Sequence, residues 1–158
     1  MRKFFVWFGV FMAAVAVAGV VGVFIVARNG AAADAESKAY VDDTVVVIGG
    51  RWDAGELWKR STARFRQATK EEDLRAFFDA AGQALGRLVE YRGARGEAAI
   101  FVSNVGTTVS AKYIAQAMFE RGAAEFQIVA VKNGAAWQIE GFHINSAALM
   151  KRLVGTRS

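Results

Sequence analysis

AKYIAQAMFERGAAEFQIVAVKNGAAWQIEGFHIN, residues 111–145, alternates apolar and polar side chains and is broken twice, at Arg121-Gly122 and Asn133-Gly134. A period of two puts successive side chains on opposite faces, so each piece reads as a half-buried strand. Asn-Gly is a strong type I′ hairpin signal, because both central residues of that turn take positive φ. Strands are therefore predicted over Ala111 to Glu120, Ala124 to Lys132 and Ala136 to Asn145, joined as an antiparallel meander. One face is expected to carry Tyr113, Ala115, Ala117 and Phe119, then Ala124, Phe126, Ile128 and Ala130, then Trp137, Ile139 and His143. An apolar sheet face needs a covering layer, and the preceding chain supplies helices, so the fold class is α+β.

Working upstream, Leu88 to Tyr91 and Glu97 to Ser103 read as two further strands, with a Ser/Asn/Gly/Thr loop from Ser103 to Ser110. The clearest helix precedes them. Thr69-Lys70-Glu71-Glu72 has capping-box spacing, and Leu74, Phe77, Phe78, Ala81 and Leu85 recur on one helical face. Asp53-Ala54-Gly55-Glu56 opens a short helix, with Trp52 and Trp58 as lids on the core. Between Ala35 and Ile48 the β-branched Val45-Val46-Val47-Ile48 opposes the helix-favouring Ala35 and Ala39; a helix is expected, ended by Gly49-Gly50. Downstream, Ala147 to Val154 reads as a short helix capped at Asn145 or Ser146, exposed and available for docking.

The N-terminal region is of another kind. Phe4 to Val26 is an apolar run of 23 residues without a charge or proline. As a helix it would be about 34 Å long, enough to cross a hydrocarbon core of about 30 Å. Arg2 and Lys3 precede it and only Arg28 follows closely, which orients the N-terminus to the cytoplasm. Ala31-Ala32-Ala33 resembles the small residues before a signal-peptide cleavage site. The run is longer than a signal-peptide core, however, and Arg28 and Asn29 separate it from the alanines, so it reads as a retained anchor. Ala14, Ala18 and Gly22 form one small-residue stripe, and Gly9 with Ala13 begins another, at the spacing that lets two membrane helices approach. The expected organisation is an anchor over 1–29, a linker over 30–34, an α+β domain over 35–145, and a C-terminal helix and tail over 146–158.

The formal charge of +5 dissolves when divided: three basic residues lie within 1–30, leaving 17 basic against 15 acidic residues in the rest. No concentrated basic face is visible, so nucleic acid is not an expected partner. With no Cys and one His, disulfides, thiolate sites and multi-histidine metal centres are excluded within one chain.

The order helix, short helix, helix and antiparallel strands, closing on Gly134-Ala135-Ala136-Trp137-Gln138-Ile139-Glu140-Gly141-Phe142, resembles the nuclear-transport-factor-2-like (cystatin-like) superfamily, in particular its small bacterial envelope members. The resemblance covers about Ala35 to Asn145. It implies a cone: a curved antiparallel sheet wrapped on a long helix, often dimeric, often with a pocket at the open end. Ketosteroid-isomerase-like and polyketide-cyclase-like members use a carboxylate base with a Tyr or acid donor, and those positions find no residue-by-residue match here.

Tyr113, Phe126, Trp137, Phe142 and His143 are the candidate pocket residues. His143 is the only side chain that ordinarily titrates near neutrality. Asp42 and Asp43 point about 100° apart on a helix and cannot act as a carboxylate pair. Lys59, Arg60, Arg64, Arg66 and Lys70 form the densest basic run beyond the anchor, either a charged face or a contact for anionic headgroups. No catalytic residue, metal site or cofactor motif is assigned. The expected protein is a single-pass accessory or assembly subunit of the bacterial inner membrane, its domain in the periplasm, binding another envelope protein or a second copy of itself. The alternatives are a periplasmic binding module for a small apolar ligand or lipid, and an isomerase or dehydratase using His143.

Overall fold

The computed structural model describes residues 30–104 and 106–155. The apolar run Phe4 to Val26, with Gly9, Ala13, Ala14, Ala18 and Gly22, lies outside them. Among the described residues no helix is long and apolar enough to cross a membrane.

The fold is α+β. Helix α1 occupies residues 30–51, followed by α2 (Ala54–Arg60), α3 (Ala63–Ala68) and α4 (Glu71–Leu85). Four strands, β1 (Leu88–Ser103), β2 (Gly106–Phe119), β3 (Gly122–Asn133) and β4 (Ala136–Asn145), form one antiparallel sheet in sequence order, and α5 (Ala147–Gly155) ends the domain.

The conflict over residues 35–48 resolves as helix because burial follows a helical stripe. Ala33, Ser37, Val41, Thr44, Val45 and Ile48 are all buried, at spacings of three and four. Val46 stays 43% exposed. Gly49-Gly50 does not end the helix. Gly49 is a contact instead: a Cβ there would meet the Phe119 ring at 3.2 Å, so the glycine lets helix and sheet close together. The chain turns at Trp52, which holds a φ of 51°. Left-handed backbone is costly for a bulky residue. It is offset here by the indole, which donates to Gly86 O at 2.8 Å and lies 5.1 Å from the Phe119 ring. Residues 30–34, expected as a linker, are helical and continuous with α1.

Three further expectations change. Thr69 is not the cap of α4: it is the C-cap of α3, a helix absent from the reading above, and Lys70 precedes α4 without a side-chain cap. Helix α3 is capped by Thr62, whose Oγ1 accepts from Phe65 N at 3.1 Å. The loop expected from Ser103 to Ser110 is mostly strand, since pairing runs from Ala98↔Ala111 out to Ser103↔Gly106. And the Asn133 turn is shifted by one residue. Asn133 pairs with Ala136, Gly134 has φ 62°, and Ala135 does not take positive φ. Positive φ at the first central residue alone is the type II′ pattern.

Both sheet edges are partly covered, the β1 edge as far as Ala98. On β1, the Asp42 carboxylate accepts from Tyr91 Oη at 2.5 Å and Ala94 N at 3.2 Å, and Asp34 accepts from Ala98 N. On β4, Thr62 N donates to Ile139 O at 2.9 Å and Thr62 Oγ1 donates to Glu140 at 2.6 Å. Unpaired edge groups would otherwise template association with another chain.

Candidate functional site: the outer face of the sheet

The register of the strands decides which side chains share a face. Ala115↔Phe126↔Ile144 and Tyr113↔Ile128↔Phe142 are successive rows on the inner face. Four of the five candidate pocket residues, Tyr113, Phe126, Trp137 and Phe142, belong to that face, and it is filled. Phe126 is fully buried, 6.0 Å from Phe142, 6.1 Å from Phe119 and 6.4 Å from Trp52 by ring centroids. Phe142 also lies 5.9 Å from Phe78 of α4. Tyr113 reaches α1, where its hydroxyl donates to Asp34 O at 3.1 Å and lies 3.0 Å from Ser37 Oγ. Trp137 sits at the rim under Lys132, whose Nζ is 5.9 Å from the ring centroid. Lys132 also pairs with Glu36 of α1 and, by hydrogen bond and charge, holds that carboxyl below its usual range.

His143 is not on this face. Strict alternation would place it with Trp137 and Ile139, but the β3–β4 register slips between Val129↔Gly141 and Ala130↔Ile139, leaving Glu140 as an extra residue. A bulge shifts the parity of everything beyond it. Phe142 and Ile144 therefore take over the inner face and His143 turns outward, exposed. Among the described residues it has no hydrogen-bonded carboxylate.

On the outer face, His143 joins a groove of about 780 Å³ that crosses all four strands. The register lays it out as two rows, Glu97–Lys112–Val129–Gly141 and Arg95–Ile114–Gln127–His143. Ile114 and Val129 form the floor, with Ile114 46% exposed. Gly141 contributes no side chain, which deepens the trough beside the bulge. At the β1 end, Gly96 approaches β2 so closely that a Cβ would lie 1.9 Å from Lys112 O. Arg95, Glu97 and Lys112 line the rim and form no ion pair among the described residues. Chemically, the groove offers an apolar strip between uncompensated charges of both signs. Such a mixture of apolar area and rim charge is the make-up of a surface able to accept another surface.

A second cavity, of about 930 Å³, opens where α1 and α4 end. Arg51, Arg87, Arg121 and Arg152 line it with Glu120. Glu120 accepts from Arg87 N and Nε, both at 3.0 Å, and these bonds hold its carboxyl below the usual range. Arg121 and Arg152 each donate to Gln83. The contiguous basic run of the sequence is by contrast largely neutralised: Lys59 pairs with Glu56, Arg60 with Asp43, and Arg64 with Glu140. The cleft arginines come from separate elements, so no sequence window contains them. Three of the four stand next to a glycine, in Gly50-Arg51, Gly86-Arg87 and Arg121-Gly122, but Arg152 does not. Helix α5, expected to be free for docking, is itself docked on α4 and β3, with Leu149 2% exposed and Met150 56% exposed. Ser146 precedes it without capping it, since its buried hydroxyl makes no hydrogen bond.

No protein-family model matches the chain, and no characterised protein or solved structure matches it.

Proposed function

We propose that this protein is a single-pass, membrane-anchored accessory or assembly subunit whose outward domain binds another envelope protein through the outer face of its sheet. The observation that carries the reading is the contrast across the sheet. Side chains fill the inner face, while the outer face keeps an apolar trough with unpaired Arg95, Glu97 and Lys112 around it. The domain is the nuclear-transport-factor-2-like cone, held in the periplasm by the Phe4 to Val26 span. In that reading the inner aromatics are the scaffold, and the surface left for association is the outer face. An isomerase built on His143 lacks support, because the residue is exposed and has no carboxylate partner in the described structure. A small apolar ligand would have to use the outer groove, since Phe126 and Phe142 already occupy the inner face.

The test is purification of the full-length protein from native membranes in mild detergent, followed by intact-mass analysis, with Ile114→Arg alongside. A stoichiometric partner, or a second copy, that stays with the native chain and is lost from the variant is the expected outcome. A lone monomer of 17.1 kDa in both preparations would defeat the reading.

A further inference from the structure

The first strand pair continues where its neighbours stop. Strand β3 last pairs with β2 at Val109↔Lys132, while β1 and β2 pair on through Phe101↔Thr108 and Val102↔Thr107 to Ser103↔Gly106. The result is a two-stranded arm standing clear of the sheet. Its sequence is the longest uncharged stretch of the described chain, Ala98 to Ala111. Phe101 is 60% and Val102 77% exposed, the latter the most exposed large apolar side chain among the described residues.

The direction of the arm follows from the contacts of α1. Along this helix, Gly49 lies beside Phe119, which pairs with Leu88; Asp42 bonds Tyr91 and Ala94; Asp34 bonds Ala98. Helix and strand therefore run antiparallel, and β1 passes the N-terminal end of the described helix as it enters the arm. From Ala98 to Ser103 the strand advances about 17 Å, against about 6 Å of helix from Asp34 back to residue 30. Residues 27–29 separate that point from the apolar run ending at Val26, a gap of at most about 14 Å. The ends of the domain also differ in charge. The β3–β4 turn beside the arm, Asn133 to Ala136, is uncharged, while the opposite end carries Glu120 and the four cleft arginines.

We infer that the tip of the β1–β2 arm, through Phe101 and Val102, enters the apolar edge of the lipid surface beside the N-terminal run and so sets the orientation of the domain on the membrane. The inference rests on the reading of Phe4 to Val26 as a membrane span. A lipid surface suits the arm because it asks for apolar area and no charge partner, and an aromatic at the headgroup boundary is favourable. So small an apolar tip would not hold a free protein on a bilayer, since a single acyl chain does so only marginally. Joined to a span, it binds at high effective concentration and acts as a second point of contact. With two points fixed, the domain no longer swings freely about the span, which narrows the directions in which the outer groove can face.

The native chain has no cysteine, so single labels can be placed freely. Full-length Phe101→Cys, Val102→Cys and Ala123→Cys, each carrying an environment-sensitive fluorophore, are reconstituted into phosphatidylcholine vesicles containing lipids spin-labelled on the acyl chain. Several-fold stronger quenching at positions 101 and 102 than at 123, unchanged by high salt, is the expected result. Quenching that disappears in high salt would assign the contact to headgroup charge and overturn apolar insertion. Protein that resists alkaline extraction yet shows equal quenching at all three positions overturns the arm while leaving the anchor intact. Protein stripped from the vesicles by alkali overturns the anchor, and the arm with it. A label at Thr108 should lose its quenching in the double variant F101D/V102D, with the native far-ultraviolet spectrum retained, because neither side chain is buried; quenching that persists there would remove Phe101 and Val102 from the contact.

Discussion

The two faces of the sheet are woven from the same four strands, yet one is closed and the other open. On the inner face Phe126, Ile128 and Ile139 are 0–1% exposed, and the Phe126 ring packs against Phe119 and Phe142, the latter also against Phe78 of α4. On the outer face Ile114 and Val129 lie in a trough rimmed by charges without partners. The inner face is closed by packing, whereas the outer face leaves apolar area and charge open to solvent. A single bulge at Glu140 moves His143 from one regime to the other.

Breaking the inner face should cost most. Phe126→Ala removes a fully buried ring in contact with three others and should lower stability by about 3–5 kcal/mol in chemical denaturation, the range for such truncations. Gly96→Ala sets a methyl into the backbone of Lys112 and should cost about 3 kcal/mol, placing it among the severe substitutions, although Gly96 is exposed. A variant of near-native stability would show that β1 and β2 separate easily there.

The edge is intermediate. Asp42→Ala leaves Tyr91 Oη and Ala94 N without their acceptor and should cost about 2 kcal/mol. Burial pushes the Asp42 carboxyl up, but hydrogen bonds from Lys38, Tyr91 and Ala94 outweigh it, so its native pKa lies below the ordinary value of 3.8. The unfolded chain then binds the proton first as pH falls. The Asp42 contribution is complete above about pH 4 and is lost as pH falls through the lower native value. Stability measured against pH should fall less steeply below pH 4 in the Asp42→Ala variant than in the native protein.

The outer face should cost least. His143→Ala is expected to change stability by less than about 0.5 kcal/mol, and Ile114→Arg by less than about 1 kcal/mol, and the latter is expected to abolish retention of the proposed partner. A large loss of stability from either substitution would erase the distinction between the faces.

Much of the architecture was legible along the chain. The strands from 111 to 145 follow from alternation, and α4 from the spacing of Leu74, Phe78, Ala81 and Leu85. Helix α1 was legible only in part. Val45-Val46-Val47-Ile48 prefers a strand locally, and burial of a stripe with Ser37 and Thr44 in it overrode that preference. The candidate site was less legible. Tyr113, Phe126 and Trp137 were expected on one face and lie there, but that face is packed scaffold; Phe142 joins it and His143 leaves it through the bulge, and Ile114, Val129, Arg95 and Lys112 across the sheet were not singled out.

The sequence by itself determined the α+β class, the antiparallel meander and the apolar segment that precedes the domain, because these depend on periodicity and composition within short windows. Only the tertiary structure decided the face on which His143 lies, the assembly of four distant arginines into one cleft, and the end of the molecule at which the β1–β2 arm stands. The physical reason is common to all three. A one-residue bulge, a shared cleft and a strand overrunning its neighbours are relations between segments far apart in sequence, and pairing and packing alone create them.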